Sequence, residues 1–349
     1  MRRLAGNIAS GGRITPAQAL KLFESDDIFT LGELAGLAAK RKNGNKAYYI
    51  RNVHVNPTNI CINRCRFCAF SRSKGEPGAY EMTIGQIVSR LKKVRAFDEV
   101  HIVGGLHPDW AFGHYIEMLQ AIKRNFPHTG IKAFTAVEVD HLRRISGLSL
   151  PGTFERLKAN GLDVMPGGGA EIFDARVRGA LCPEKLTGRE WLRTMKAAHS
   201  AGIRTNATML YGHIENYRHR VAHLDALRRL QDETGGFQAF VPLPYQPGTE
   251  IGGQASSGIE DLKCIAVSRI FLDNFDHVKA YWVMLGEKLS QVALEFGADD
   301  LEGTVTEEKI AHSAGARTRK RLAEAELRTL IEKAGKRPVR RDSFYRRLN

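Results

Sequence analysis

The chain has 349 residues, of which 43% are hydrophobic and 26% are charged. This ordinary globular composition excludes a disordered or fibrous protein. No run of about 18 apolar residues occurs, and the first residues lack the apolar core of a secretory signal, so we expect a cytoplasmic protein without a membrane span.

The formal net charge of +14 indicates an acidic partner or an anionic substrate. Part of the excess lies near the C-terminus, in the run GKRPVRRDSFYRRLN. We predict that this run is a solvated basic tail. No RNA-binding or helix-turn-helix signature accompanies it, so we expect no nucleic-acid partner.

Short apolar or β-branched runs recur along the chain and predict strands. They cover residues 48–56, 98–105, 130–139, 162–169, 203–212, 237–245 and 277–285. Segments with helical spacing of apolar residues separate these runs, and the alternation predicts a parallel sheet with crossover helices. We therefore predict an α/β fold, a TIM-type (β/α) barrel over residues 48–303. Residues 1–47 are predicted as a helical cap with helices at 16–24 and 31–41, and residues 304–349 as a helical extension with the basic tail.

Three of the five cysteines, Cys61, Cys65 and Cys68, lie within eight residues in the pattern C-x3-C-x2-C. Structural zinc normally requires four ligands in paired units, and Cys182 and Cys264 are isolated in the sequence. Three thiolates instead suit a 4Fe-4S cluster that keeps one iron open for a chelating ligand. The alternative is three buried structural cysteines, but burial alone gives no reason for this spacing.

Several predicted strands end in residues that can shape a site at the carboxyl ends of the strands. Gly104 and Gly105 allow close approach of a ligand to the backbone, or form an ordinary turn. Glu138 and Glu171 are carboxylates at predicted strand ends that could accept hydrogen bonds from the hydroxyls of a ribose, or could form salt bridges at the rim. Glu171 is the preferred candidate because it follows three glycines.

The segment CINRCRFC after the first predicted barrel strand resembles the radical S-adenosylmethionine (radical SAM) superfamily. The resemblance implies that SAM chelates the open iron and that an electron from the cluster releases a 5'-deoxyadenosyl radical. It also implies an electron donor such as flavodoxin or ferredoxin. Gly104 and Gly105 correspond to the segment that holds the methionine amino group, although Leu106 replaces the expected acidic residue.

The segment TMLYGHIE resembles the adenine-contact segment of the fifth strand in the same superfamily. Gly212 and Glu215 match that pattern, whereas Thr208 and Leu210 depart from it. His213 lies beside them and is a candidate catalytic proton donor or substrate ligand. A lone histidine of this kind is more often structural.

Longer segments extend the resemblance to the aminofutalosine synthase family over about residues 30 to 345. They include VNPTNICINRCRFCAFSR, VGGLHPDW, AFTAVEVDH, PGGGAEIF and TNATMLYGHIE. The resemblance implies addition of the radical to 3-(1-carboxyvinyloxy)benzoate, giving 6-amino-6-deoxyfutalosine, bicarbonate and methionine in menaquinone biosynthesis. The alternatives are a dehypoxanthine futalosine cyclase, a deazaflavin (F0) synthase-type enzyme, and a non-catalytic iron–sulfur or nucleic-acid-binding protein.

A substrate with two carboxylates requires cationic or hydrogen-bond-donating groups inside the barrel. The sequence leaves five candidates for this role: Arg51, His54, Arg72, His107 and Lys279.

Overall fold

The computed structural model of the chain describes residues 2–348. The helices are α1 Arg2–Ala9, α2 Pro16–Phe23, α3 Ile28–Asn43, α4 Ile84–Lys92, α5 Phe112–Asn125, α6 Ala136–Ser146, α7 Leu150–Ala159, α8 Ala175–Leu181, α9 Gly188–Ser200, α10 Tyr217–Thr234, α11 Gly258–Phe271, α12 Trp282–Leu285, α13 Glu287–Ala293, α14 Ile310–Ser313 and α15 Glu324–Lys333. The strands are β1 Lys46–Ile50, β2 Asn52–Val55, β3 Glu99–Ile102, β4 Gly130–Ala133, β5 Val164–Met165, β6 Arg204–Tyr211, β7 Phe237–Pro244, β8 His277–Val278, β9 Asp300–Gly303 and β10 Arg337–Arg340.

Strands β2 to β8 form one seven-stranded sheet in chain order, and every pairing between them is parallel. Crossover helices connect the strands, as parallel neighbours require. Single parallel bridges join Lys279 to Asp300 at one edge of this sheet and Val53 to Thr306 at the other. The segment from β9 to residue 306 therefore links the two edges, and the predicted α/β barrel is confirmed.

The first predicted strand is divided in two at Arg51, and each half belongs to a different sheet. β1 is the central strand of a three-stranded sheet with β9 and β10. The C-terminal basic run is therefore folded, which corrects the prediction of a solvated tail. β10 pairs with β1, the Arg341 guanidinium lies 2.7 Å from an Asp300 carboxylate oxygen, and the Tyr345 ring stacks on His277 at 3.8 Å.

Two further predicted strands are shorter than expected because helices replace their second halves. The run 130–139 becomes a strand only to Ala133, after which Thr135 caps helix α6. The Thr135 side chain accepts the Glu138 backbone N–H, and the Glu138 side chain accepts the Thr135 backbone N–H. This reciprocal capping outweighs the strand propensity of the β-branched residues. The run 277–285 likewise ends in the short helix α12.

The N-terminal helices lie against the outer helices of the barrel. α2 contacts α10 and α11, and α3 packs along α11. These two helices occur where they were predicted, within a few residues at each end. Within residues 2–348, no helix combines the length and the hydropathy that crossing a bilayer requires.

Candidate functional site

A cavity of about 340 Å³ opens among the loops that follow the barrel strands. Its walls combine the three clustered cysteines with glycines, glutamates and amides from several strand ends. The lining includes Cys61, Cys65, Cys68, Gly104, Gly105, Glu138, Gly167, Gly168, Gly169, Glu171, Lys185, Asn206, Tyr245, Glu302 and Glu308. The structure thus brings the predicted cluster ligands into one cavity with four of the predicted cofactor-binding residues.

The cysteine-bearing loop follows β2 and is anchored by backbone hydrogen bonds. The Cys61 N–H donates to the Arg72 carbonyl at 3.0 Å, and the Cys68 N–H donates to the Cys65 carbonyl at 2.9 Å. All five cysteines are free thiols, but Cys182 and Cys264 are buried outside the cavity lining. Burial raises the pKa of the Cys65 thiol to about 12 and also raises the pKa of Cys61.

Deep burial without a bound cation disfavours the thiolate, whereas an iron cluster stabilises the deprotonated form. Three thiols that share one loop and face one cavity, with no fourth cysteine in the described lining, fit a cluster that has one open iron.

Gly105 lies directly under the cysteine-bearing loop. A Cβ atom at this position would lie 2.2 Å from the carbonyl oxygen of Ile60, which is far too close for any side chain. The Gly105 N–H donates to the Thr58 carbonyl at 2.9 Å, and the Ile62 N–H donates to the Leu106 carbonyl at 3.0 Å. The glycine pair therefore fixes the position of the cysteine-bearing loop in addition to lining the cavity.

Glu138 is in the first turn of α6, not at a strand end as the sequence suggested. Its two carboxylate oxygens accept the backbone N–H groups of Gly104 at 3.0 Å and Thr135 at 2.7 Å. Burial raises the pKa of Glu138 to about 7, although these hydrogen bonds oppose the shift. The contact joins two of the predicted site residues and assigns Glu138 to positioning the Gly104 backbone.

Glu171 lies on the cavity wall with a positive φ of 45°, a strained conformation for a residue that is not glycine. Its carboxylate is 2.6 Å from the Lys185 ammonium, which also lies 4.7 Å from the centre of the Phe67 ring. Burial alone would raise the pKa of Glu171, but Lys185 lowers it below the usual value. Glu171 is therefore an ionised carboxylate held beside the cysteines.

Lys185 was not identified from the sequence. It lies in a loop after α8 and no motif marks it. Burial opposes its charge, yet the neighbouring Cys65 and Glu171 raise its pKa.

Gly212, His213 and Glu215 form a compact turn outside the described cavity lining. The Glu215 carboxylate accepts the backbone N–H groups of Gly212 at 2.7 Å and His213 at 2.9 Å, and it pairs with Arg220 at 2.8 Å. The His213 ring is buried, with Nε2 at 3.0 Å from the Leu210 carbonyl and Nδ1 at 2.9 Å from Glu215. Both ring nitrogens thus have protein partners, and the geometry favours a positioning role over proton donation to a substrate.

Of the five residues considered for binding substrate carboxylates, only His54 belongs to the described cavity lining. Arg51 pairs with Asp98 at 2.7 Å, and Lys279 pairs with Glu302 at 2.5 Å. Arg72 donates to the Ala69 carbonyl at 2.9 Å, and the His107 ring lies 2.8 Å from the Glu81 carboxylate. Lys132 and Lys185 do line the cavity, but each forms an ion pair with a glutamate. The lysines of the described lining are therefore paired, and its unpaired hydrogen-bond donors are neutral.

Comparison with known proteins agrees with this geometry. Residues 55–227 match the radical SAM superfamily, and residues 234–349 match the CofH/MqnC C-terminal region. Among solved structures, methylornithine synthase (PylB) superposes with a TM-score of 0.77 at 18% identity, covering 97% of each chain. The hydrogenase maturase HydG from Carboxydothermus hydrogenoformans gives 0.77 at 17% identity, covering 99% of this chain and 80% of that one. These two similarities concern the fold alone. The chain belongs to the radical SAM superfamily of enzymes.

Three named proteins are much more similar to this chain in sequence than the two solved structures are. The chain is 43% identical to the aminodeoxyfutalosine synthase of Thermus thermophilus, over 99% of this chain and 95% of that protein. It is 42% identical to the aminodeoxyfutalosine synthase of Streptomyces coelicolor, over 99% and 93%. It is also 41% identical to the 5-amino-6-(D-ribitylamino)uracil–L-tyrosine 4-hydroxyphenyl transferase of Methanococcoides burtonii, over 97% and 96%.

Proposed function

We propose that this enzyme joins the 5'-deoxyadenosyl group of SAM to 3-(1-carboxyvinyloxy)benzoate, yielding 6-amino-6-deoxyfutalosine, bicarbonate and methionine for menaquinone biosynthesis. The similarity to two aminodeoxyfutalosine synthases over nearly the full chain supports this proposal. The observation that carries it is the cavity, which brings the three cysteines together with glycines and with the Glu171–Lys185 ion pair at the carboxyl ends of the barrel strands.

Cys61, Cys65 and Cys68 would hold a 4Fe-4S cluster that leaves one iron open to chelation by SAM. When bound and reduced by a donor such as flavodoxin or ferredoxin, the cluster supplies the electron that cleaves SAM.

The protein residues orient and shield the reactants. Glu138 holds the Gly104 backbone against the cysteine-bearing loop, and the Glu171–Lys185 pair presents an oriented carboxylate and ammonium beside it. We propose that Glu171 binds the ribose hydroxyls of SAM, because a buried, ionised carboxylate is a strong acceptor. The predominantly buried lining of the cavity would limit contact of a reactive alkyl radical with solvent, and so limit unproductive reactions.

The test is anaerobic incubation of the reconstituted, reduced enzyme with SAM and the enol-ether benzoate, followed by mass spectrometry of the nucleosides. We expect a larger nucleoside that retains the labelled adenosyl carbon and carries the benzoate, with little free 5'-deoxyadenosine. Stoichiometric 5'-deoxyadenosine without an adduct would refute the addition reaction.

The second candidate is transfer of a 4-hydroxyphenyl group from tyrosine to 5-amino-6-(D-ribitylamino)uracil. The 41% identity to a methanogen protein of that name favours it over other radical reactions. The same assay with tyrosine and the uracil replacing the benzoate distinguishes the two candidates, because only one pair of substrates should be consumed.

A further inference from the structure

His54 on β2 and His101 on β3 are paired in register across the parallel sheet, and His101 is paired in turn with Lys132 on β4. Residues in register on adjacent strands point to the same face of a sheet, here the barrel interior. All three side chains line the cavity. The two imidazole rings lie 4.5 Å apart, centre to centre, at an angle of 58°.

The lysine has partners within the protein, whereas ring nitrogens of the two histidines do not. Lys132 is fully engaged, with its ammonium at 2.7 Å from Glu99 and 3.0 Å from Glu302. By contrast, Nε2 of His54 and both ring nitrogens of His101 are buried with no hydrogen-bond partner among the described residues. Buried polar atoms in folded proteins almost always have partners. Unpartnered imidazoles that face a cavity therefore indicate a ligand.

Both rings are neutral near pH 7. Burial lowers the pKa of His54, and burial together with Lys132 lowers the pKa of His101 well below its usual value. A neutral imidazole keeps one N–H donor and one acceptor nitrogen. The nearby carboxylates already have partners: Glu308 is bound by His312 at 2.8 Å, and Glu99 and Glu302, which have oxygens within 4.8 Å of a His101 ring nitrogen, are both paired with Lys132. The pair can therefore donate two hydrogen bonds to an anionic group.

The position of the two histidines within the barrel indicates which group of the substrate they would bind. His54 lies within β2, whereas the cysteines lie in the loop after the end of that strand. The histidines therefore lie on the strands of the barrel, and the cysteines lie in the loop at its carboxyl end. In the proposed reaction the vinyl carbon must meet the adenosyl group near the cysteines, so the ring carboxylate of the substrate extends away from them.

We propose that His54 and His101 form a binding subsite for the ring carboxylate of the enol-ether benzoate. This proposal rests on the proposed function and deepens it, because it names the residues that would select a benzoate over an uncharged aryl group.

The test compares two ligands by isothermal titration calorimetry on cluster-loaded enzyme with SAM and without reductant. One ligand is 3-(1-carboxyvinyloxy)benzoate, and the other is 2-phenoxyacrylate, which lacks the ring carboxylate. In the variants His54→Leu and His101→Leu we expect the Kd of the benzoate to rise about tenfold to a hundredfold, the effect of losing a hydrogen bond to a charged group. The Kd of 2-phenoxyacrylate should change less than twofold.

Two further variants complete the design. His101→Gln retains an N–H donor and should recover part of the affinity for the benzoate. The exposed residue His128 provides the control, and His128→Leu should bind both ligands as the wild type does.

The outcomes separate this subsite from the proposed function. If the leucine variants bind the benzoate as the wild type does, or weaken both ligands equally, the subsite is refuted while the reaction stands. If wild-type enzyme neither binds nor consumes the benzoate, both proposals fail.

Discussion

The Lys185–Glu171 ion pair gives a direct measure of how strongly the site depends on buried charge. The side chains are only 15% and 10% exposed, and their charged atoms are 2.6 Å apart. Replacing Lys185 by methionine keeps most of the side-chain volume but leaves the Glu171 carboxylate buried and unpaired. Breaking a buried pair in this way typically costs about 3–5 kcal/mol of folding free energy. We expect Lys185→Met to lose a stability of that order.

The assay is urea denaturation of the metal-free protein at pH 7, with Lys196→Met as the matched control. Lys196 pairs with Glu233 at the surface, where the side chains are 52% and 53% exposed, so its loss should cost less than about 1 kcal/mol. The double variant Lys185→Met/Glu171→Leu should recover much of the lost stability, because it removes the unpaired charge.

The folding stability of Lys185→Met should also change with pH in the direction opposite to that contributed by the ion pair in the wild type. In the wild type the pKa of Glu171 is lowered, so the pair stabilises the fold above the ordinary glutamate pKa and this contribution is lost as the pH falls through the lowered value. Without Lys185 burial raises that pKa, and the variant should become more stable as the pH is lowered from 7 towards 5. A loss no larger than that of Lys196→Met, with no change in pH dependence, would refute this reasoning.

Four other results are expected. Glu171→Gln should weaken the apparent affinity for SAM about ten- to a hundredfold while iron content stays near normal, and unchanged kinetics would assign Glu171 to structure alone. Cys65→Ala should abolish activity and prevent assembly of the full cluster of about four irons, whereas Cys264→Ala should retain both. Gly105→Ala should lower iron incorporation, because its Cβ would lie 2.2 Å from a backbone oxygen of the cysteine-bearing loop. In the wild type, burial raises the pKa of Glu138, so the folded state binds more protons and the unfolding free energy should fall by about 3 kcal/mol between pH 4.5 and about 7. Glu138→Gln should abolish this fall, and identical pH profiles for the two proteins would contradict the prediction.

The strands were predictable where apolar runs end in turn residues, as in 203–212, where β6 covers 204–211. The strand that was predicted to carry Glu138 shows the limit of that signal. Thr135 and Glu138 have the spacing of a capping box, which marks a helix start even within a β-branched run. That spacing predicts Glu138 in the first turn of a helix, where the structure places it. The division of the first strand at Arg51 depends on tertiary pairing with β10, nearly 300 residues away, and no local pattern encodes it.

The candidate site shows the same contrast between local and tertiary information. The cysteines can be recognised from their spacing in the sequence, because one loop supplies all three. Lys185 and His101 carry no such motif, and they enter the cavity only because the barrel brings separate strands and loops together. Their roles depend on contacts between residues that are far apart in the sequence.

The net charge of +14 suggested an anionic substrate, but the cavity shows that total charge does not describe the site. Lys132 is neutralised by Glu99 and Glu302, and Lys185 by Glu171. A substrate carboxylate entering this cavity meets no unpaired lysine or arginine among the described lining residues. Recognition by neutral donors has a physical advantage, since a fixed unpaired cation in so buried a place would cost several kcal/mol of desolvation before any substrate arrived. If the proposed dicarboxylate is the substrate, its selection must come from the number and placement of N–H and O–H groups, and only the folded barrel defines that placement.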